Sequence, residues 1–159
     1  VLNGDEYTEG ELIKNNKIDR IFRYAEEFPK LIIWARYTKQ IELYETELKK
    51  KGYNVLTLTG ATKDRESLFK TLRNASSYVL IAQCQISAGW ELPECPVMIF
   101  ASRNYSVVDY IQAQGRIQRT NAIKKNLYIN LIVKGGIDEA VHKSLKNKKD
   151  FNERLFLGI

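Results

Sequence analysis

A chain of 159 residues with 25 Lys and Arg against 19 Asp and Glu has room for one domain with a real core, and its net charge of +6 favours a polyanionic partner. No apolar run approaches the ~18 residues needed to span a bilayer, and Val1-Leu2-Asn3-Gly4-Asp5-Glu6 has neither the basic nor the apolar region of a signal peptide. A soluble, cytoplasmic chain with no membrane partner is expected. Cys84, Cys95 and the single histidine, His142, are too few and wrongly spaced for a zinc site. No metal centre is therefore expected, and the cysteines read as buried or half-buried reduced thiols.

In chain order, residues 1–15 are polar, contain Gly4 and Gly10, and read as a linker or frayed start, with the domain proper over 16–159. Ile18, Ile21, Phe22, Ala25 and Phe28 recur at helical spacing, with Asn15-Asn16 as caps and Pro29 as a stop. Leu31-Ile32-Ile33-Trp34-Ala35 is a continuous apolar run, suited to a parallel strand buried on both faces. The pattern predicts a helix from Lys39 to Lys51, capped by Thr38 and ended by Gly52. A strand over 53–58, a helix holding Leu68, Phe69 and Leu72, and strands over 78–82 and 97–101 follow. After them come a helix beginning at Val107, a strand over 127–133, a Gly135-Gly136 turn and a last helix from Asp138. Strands alternating with helices predict right-handed crossovers and a three-layer α/β domain around a mainly parallel sheet.

The stretch from Asp109 to Arg119 has two unlike faces if it is helical throughout. Tyr110, Ala113 and Ile117 form an apolar stripe, while Gln112, Arg116 and Arg119 lie well away from it. Ser106 and Asp109 have the spacing of a capping box. Two arginines a turn apart beside a glutamine suit phosphate oxygens, because guanidinium is a permanent charge with a planar fork. The plainer reading is a solvated face with ordinary ion pairs. If both arginines face solvent, replacing either should change stability by no more than ~0.5 kcal/mol.

Gln112-x-x-Gly115-Arg116-x-x-Arg119 resembles motif VI of superfamily-two helicases, and its surroundings resemble the Swi/Snf-type branch. Leu127-Tyr-Ile-Asn-Leu-Ile132, Gly136-Ile-Asp-Glu-Ala-Val141 and Lys148-Lys149 follow in the order such proteins show a strand, a turn and a basic helix. Arg36-Tyr37-Thr38-Lys39 resembles motif IV. Thr59-Gly60-Ala61-Thr62 resembles a turn that touches the nucleic-acid backbone, although Thr59 replaces an acidic residue. Gln83 to Leu92 resembles motif V, with Gln83 in place of a threonine. Thr120-Asn121-Ala122 also departs from the Gly-Gln common after the second arginine.

The resemblance covers residues 31–150 and implies the C-terminal RecA-like lobe of an ATP-dependent DNA helicase or translocase. It implies Arg116 and Arg119 as catalytic arginine fingers, and Gln112, Gly115, Gly89 and Glu91 beside ATP. Arg36, Lys39, Thr59, Gly60, Gln83, Gln85 and Ser87 are implied at the nucleic-acid backbone. No G-x-x-x-x-G-K-[ST] phosphate loop and no Asp-Glu-Ala-Asp or Asp-Glu-x-His segment is present. ATP and magnesium are therefore expected in the full-length protein, held by an N-terminal lobe, and neither on this lobe alone. Duplex DNA, gripped through its phosphates, is the expected partner. Strand separation on DNA or RNA is the nearer alternative, and a stand-alone, non-enzymatic α/β binding module the more distant one.

Overall fold

The apolar runs of the sequence assemble into one five-stranded sheet in which each adjacent pair is parallel. The computed structural model describes residues 17–118 and 125–152 in full, and the backbone of 5–8 and 11–15. The elements are β1 (Asp5–Thr8), β2 (Glu11–Asn15), α1 (Ile18–Glu27), β3 (Lys30–Ala35), α2 (Thr38–Lys50), β4 (Val55–Leu58), α3 (Arg65–Asn74), β5 (Tyr78–Gln83), β6 (Val97–Phe100), α4 (Val107–Gly115), β7 (Leu127–Asn130) and α5 (Ile137–Lys146). Strand order is β4-β5-β3-β6-β7. The central strand β3 sets Ile33 level with Ile81 on one side and Ile99 on the other.

Residues alternate between the two faces of a strand, and because helices cover both faces, β3 and β5 carry unbroken apolar runs. Leu31, Ile33 and Ala35 pack with Ile21 and Ala25 of α1 and with Ile41, Tyr44 and Leu48 of α2. On the other face, Ile32 and Trp34 pack with Phe69 and Leu72 of α3 and with Ala113 of α4. Each such side chain stabilises the fold by about 1.5–3 kcal/mol relative to exposure. The three-layer α/β architecture expected from the sequence is the one observed. Helix α5 packs separately, through Ile137, Val141 and Leu145, against Tyr105, Val107, Tyr110 and Phe151.

Several element ends depart from expectation. The first fifteen residues contain an antiparallel pair, with Asp5 opposite Asn15 and Thr8 opposite Glu11, where a linker or frayed start was expected. Lys17 holds the cap position of α1 and Tyr37 that of α2, neither making a side-chain cap bond, so Thr38 is not the cap of α2, while Asn16 lies outside the described residues. Gly52 does end α2: at φ +86 it allows Tyr53 N–H to reach Leu48 O at 3.2 Å and its own N–H to reach Lys49 O at 2.9 Å.

One connection breaks the alternation of strand and helix. Strands β5 and β6 flank β3, so residues 84–96 must cross from one side of it to the other. They do so without a helix. Their apolar residues Cys84, Trp90, Leu92 and Cys95 are buried in the cluster where a crossover helix would place its stripe.

Beyond the sheet edge lies a buried ion pair, Lys17 Nζ to Asp138 Oδ2 at 2.6 Å, with the two side chains only 4% and 6% exposed. Lys17 also donates to Ala101 O, and Asp138 accepts from Val133 N–H at 3.3 Å. Burial holds the Asp138 carboxyl above the usual range, while Lys17 opposes that shift. A Lys17→Met variant leaves the carboxylate uncompensated and is expected to lose about 3–5 kcal/mol at neutral pH. The deficit should shrink as pH falls through the raised pKa of Asp138, because a neutral carboxyl needs no cation. Urea denaturation at several pH values checks both the loss and its pH trend.

Candidate nucleotide and nucleic-acid interface

Parallel strands direct their carboxyl ends to one edge of the sheet, where open α/β folds place their ligands. There, Thr59-Gly60 follow β4, Gln83 closes β5, Arg36 follows β3, and Ser102 to Asn104 follow β6. The Thr59 turn closes on itself: Thr62 N–H donates to Thr59 O at 3.0 Å and Thr59 N–H to Thr62 Oγ1 at 3.0 Å. Gly60 N–H donates to Gln83 Oε1 at 3.2 Å, which joins two expected contact loops and leaves the Gln83 amide nitrogen as a donor. Arg36 is tied to β6 through its backbone N–H, which donates to Ser102 Oγ at 2.8 Å. Its guanidinium lies 3.7 Å from the centre of the Tyr105 ring and 5.4 Å from that of Tyr37. Among the described residues its buried Nη1 has no hydrogen-bond partner. An aromatic face holds the cation without using its donors, so the buried Nη1 is left unpaired among the described residues. Lys39, in the first turn of α2, and Gln85, two residues past the end of β5, are exposed.

Helix α4 begins as the capping box predicts, with Ser106 Oγ accepting from Asp109 N–H at 3.3 Å. Ala113 and Ile117 are buried, and Tyr110 meets Phe100 edge-on at 4.9 Å. The helix stops at Gly115, short of Arg119. Arg116 N–H then bonds to Ala113 O at 3.1 Å and Gln118 N–H to Gly115 O at 3.3 Å, the tighter i to i+3 turn common at helix ends.

The Arg116 side chain does not project freely into solvent, as helical periodicity led us to expect. Its Nε donates to Gln112 O at 2.9 Å and its Nη1 to Trp90 O at 2.6 Å, while its own carbonyl accepts from Leu92 N–H at 2.9 Å. Ser87 Oγ donates to Gln112 Oε1 at 3.3 Å, a second tie between the connection and α4. Gly89 is exposed at φ +84, a conformation that favours glycine, and Glu91 is exposed beside it. Trp90 is buried between Trp34 and Phe69, at ring distances of 5.6 and 5.2 Å, so its side chain packs and offers no base a platform. The structure thus brings Gln112, Gly115, Arg116, Ser87, Gly89 and Glu91 to one junction. Thr59, Gly60, Gln83 and Arg36 fall along the sheet edge. Arg119 lies outside the described residues.

The model of the helicase conserved C-terminal domain matches residues 13–121, more than half of the chain. This chain belongs to that family. It is 22% identical over 116 residues to the pre-mRNA-splicing ATP-dependent RNA helicase prp-28 of Neurospora crassa, covering 72% of this chain and 16% of that protein. It is 26% identical over 128 residues to the chromatin-remodeling ATPase INO80 of Mycosarcoma maydis, covering 78% of this chain and 7% of that protein. The C-terminal part of the Fun30 ATPase domain superposes with a TM-score of 0.77 at 21% identity, covering 91% of this chain and 49% of that one. The chain therefore spans a small part of each curated relative. Its RecA-like α/β fold is that of helicase C-terminal domains.

Within this helicase domain, sequence reasoning passed over Arg103, which follows β6 at the edge where such residues were sought. It is buried, lies 5.5 Å from the Tyr110 ring centre, and donates through Nη1 to His142 Nδ1 at 2.7 Å. Guanidinium has no acceptor, so Nδ1 must be unprotonated. Burial first, then Arg103 and Lys146, hold the imidazole below its ordinary pKa. The two thiols are buried; burial pushes Cys84 up to about 12 and Cys95 to about 11, so neither is a ready nucleophile.

Two outcomes follow for the helicase domain. Because the folded pKa of His142 is depressed, the unfolded chain takes up its proton first. The stability this histidine contributes is therefore complete above about pH 6.5 and lost as pH falls below it. Denaturation curves between pH 7.5 and 5.5 should show the loss, and His142→Gln should flatten that slope, since no other histidine is present. Arg116→Ala should cost about 1–3 kcal/mol, because it strips charged donors from two backbone carbonyls. A change near ~0.5 kcal/mol in urea denaturation would restore the solvent-facing reading.

Proposed function

We propose that this domain is the second motor lobe of an ATP-dependent translocase of the Swi/Snf type, tracking duplex DNA through its phosphates. The observation that carries the proposal is the junction itself. One connection, residues 83–92, begins at the polar sheet edge and ends bonded to the arginine turn, through Ser87–Gln112 and Trp90 O–Arg116. A part that contacts a polyanion and a part that carries cations are thereby made one body.

In this reading Arg36, Lys39, Thr59, Gln83 and Gln85 supply charge and hydrogen-bond donors to backbone phosphates, which position a strand without reading its sequence, while Gly60 and Ser87, whose donors are taken by Gln83 and Gln112, hold the contact loops in place. Gln112, Gly115, Gly89 and Glu91 border the nucleotide, and Arg116 with Arg119 meets the charge that develops during phosphoryl transfer. ATP with magnesium supplies the phosphoryl group and the energy of the cycle. Among the described residues no three His, Cys, Asp or Glu side chains stand together to hold a metal ion. In this reading the lobe supplies charge stabilisation and its partner lobe would hold the cation, and the separate lobe is expected to hydrolyse no ATP. A fixed arginine is worth about 10³–10⁵ in rate, or roughly 4–7 kcal/mol, far more than an exposed ion pair provides.

The Swi/Snf assignment is supported by the Gly136-Ile-Asp-Glu turn and Lys148-Lys149 downstream of the arginine motif, and by the likeness to INO80. An RNA-unwinding lobe is the second reading, favoured by the likeness to prp-28. The test is steady-state ATP hydrolysis by the intact protein with duplex DNA or single-stranded RNA. Duplex DNA should stimulate turnover, and more weakly as salt rises. Arg119→Lys should keep the thermal midpoint and lose about 10³-fold in kcat, since lysine keeps charge without the fork. Stimulation by RNA alone would install the second reading.

A further inference from the structure

The connection between β5 and β6 holds one residue that touches both of its working ends. The Trp90 indole N–H donates to Ile86 O at 2.9 Å, between Gln85 and Ser87 in sequence. Its ring is 6% exposed and clamped between Trp34 of β3 and Phe69 of α3. Its backbone carbonyl accepts from Arg116 Nη1, and two residues on, Leu92 N–H donates to the Arg116 carbonyl. Building on the functional reading above, we infer that Trp90 is a positioning residue: it transmits the placement of the phosphate-contacting loop to the guanidinium of Arg116.

The physical argument runs through stiffness. Two ring contacts in a close-packed core resist rotation of the indole. A shift of Gln85 to Ser87 when a strand is bound must therefore either break the Ile86 bond or carry the Trp90 backbone with it. Arg116 uses Nε and Nη1 on Gln112 O and Trp90 O, and among the described residues Nη2 has no partner. The one edge left for a phosphoryl oxygen thus points where the Trp90 carbonyl sets it. Bound nucleic acid aims the arginine by this route, and hydrolysis rises when the strand is in place.

The test uses the intact protein, and reads basal and nucleic-acid-stimulated kcat, KM for ATP, the Kd for nucleic acid and the thermal midpoint. Trp90→Phe keeps an aromatic ring in the stack but removes the N–H. The ratio of stimulated to basal kcat should fall roughly tenfold, about 1.4 kcal/mol and close to the worth of one hydrogen bond. KM, Kd and basal rate should stay within about twofold, which a merely structural loss would not allow. Trp90→Tyr, bulkier and also lacking the indole N–H, should behave alike if Phe leaves the stack loose. Leu72→Val shrinks a buried side chain of the same core that makes no ring contact with Trp90, and should lower the thermal midpoint while keeping the ratio. A wild-type ratio in both Trp90 variants overturns the inference, as does an equal fall in Leu72→Val, which would make core packing alone responsible. A wild-type protein whose hydrolysis no nucleic acid stimulates would instead remove the functional reading beneath it.

Discussion

Everything at the candidate site depends on how residues 84–96 cross the central strand. A helix would have satisfied its own backbone and shown only side chains to its neighbours. An irregular chain carries unpaired carbonyls and N–H groups, and a buried one must find partners for them. Trp90 O, Glu91 O and Leu92 N–H find theirs in Arg116 Nη1, Arg73 Nη2 and Arg116 O. The aromatic series Phe69, Trp90, Trp34 and Phe100 supplies the apolar burial that holds the crossing against the sheet. Loss of regular structure here is thus what binds the connection to α4.

The sheet was legible because burial on both faces leaves a plain signature. Leu31 to Ala35 and Tyr78 to Ala82 carry apolar residues at every position, and both became strands. Helix ends were less legible, because a cap is decided by geometry and not only by residue type. Thr38 has a capping residue's chemistry but already lies inside α2, whereas Asp64, which attracted no notice, accepts from Ser67 N–H at 2.9 Å and caps α3.

At the site, the sequence conveyed which stretches would meet but not how. Ala113 and Ile117 are four apart and both buried, so the apolar period continues past the end of the helix and hides its termination. The side chain of Arg116 was misplaced for that reason, and also because one of its partners is a backbone carbonyl far upstream. No local pattern can reveal such a bond, since every residue has the same carbonyl. Arg103 was missed differently. A single arginine after an apolar run is common, and only the fold shows it buried against His142 and Tyr110.

The two arginines near the carboxyl edge are held by opposite means, and the difference bears on what each can do. Arg103 has its charge enclosed, bonded to an imidazole and covered by a ring, so moving it would expose buried polar groups to one another without partners. Arg36 is held by the Tyr105 face, a contact worth about 0.5–2 kcal/mol, and its Nη1 is left unmade. A buried donor without a partner costs about 1–3 kcal/mol, and Arg36 carries that cost among the described residues. In the proposed reading, a phosphate that drew the Arg36 guanidinium outward would relieve a deficit present in the free domain, whereas one at Arg103 would have to break bonds that the domain has already formed. On that reading Arg36 is the cation suited to an incoming strand, while Arg103 ties Tyr110 of α4 to His142 of α5.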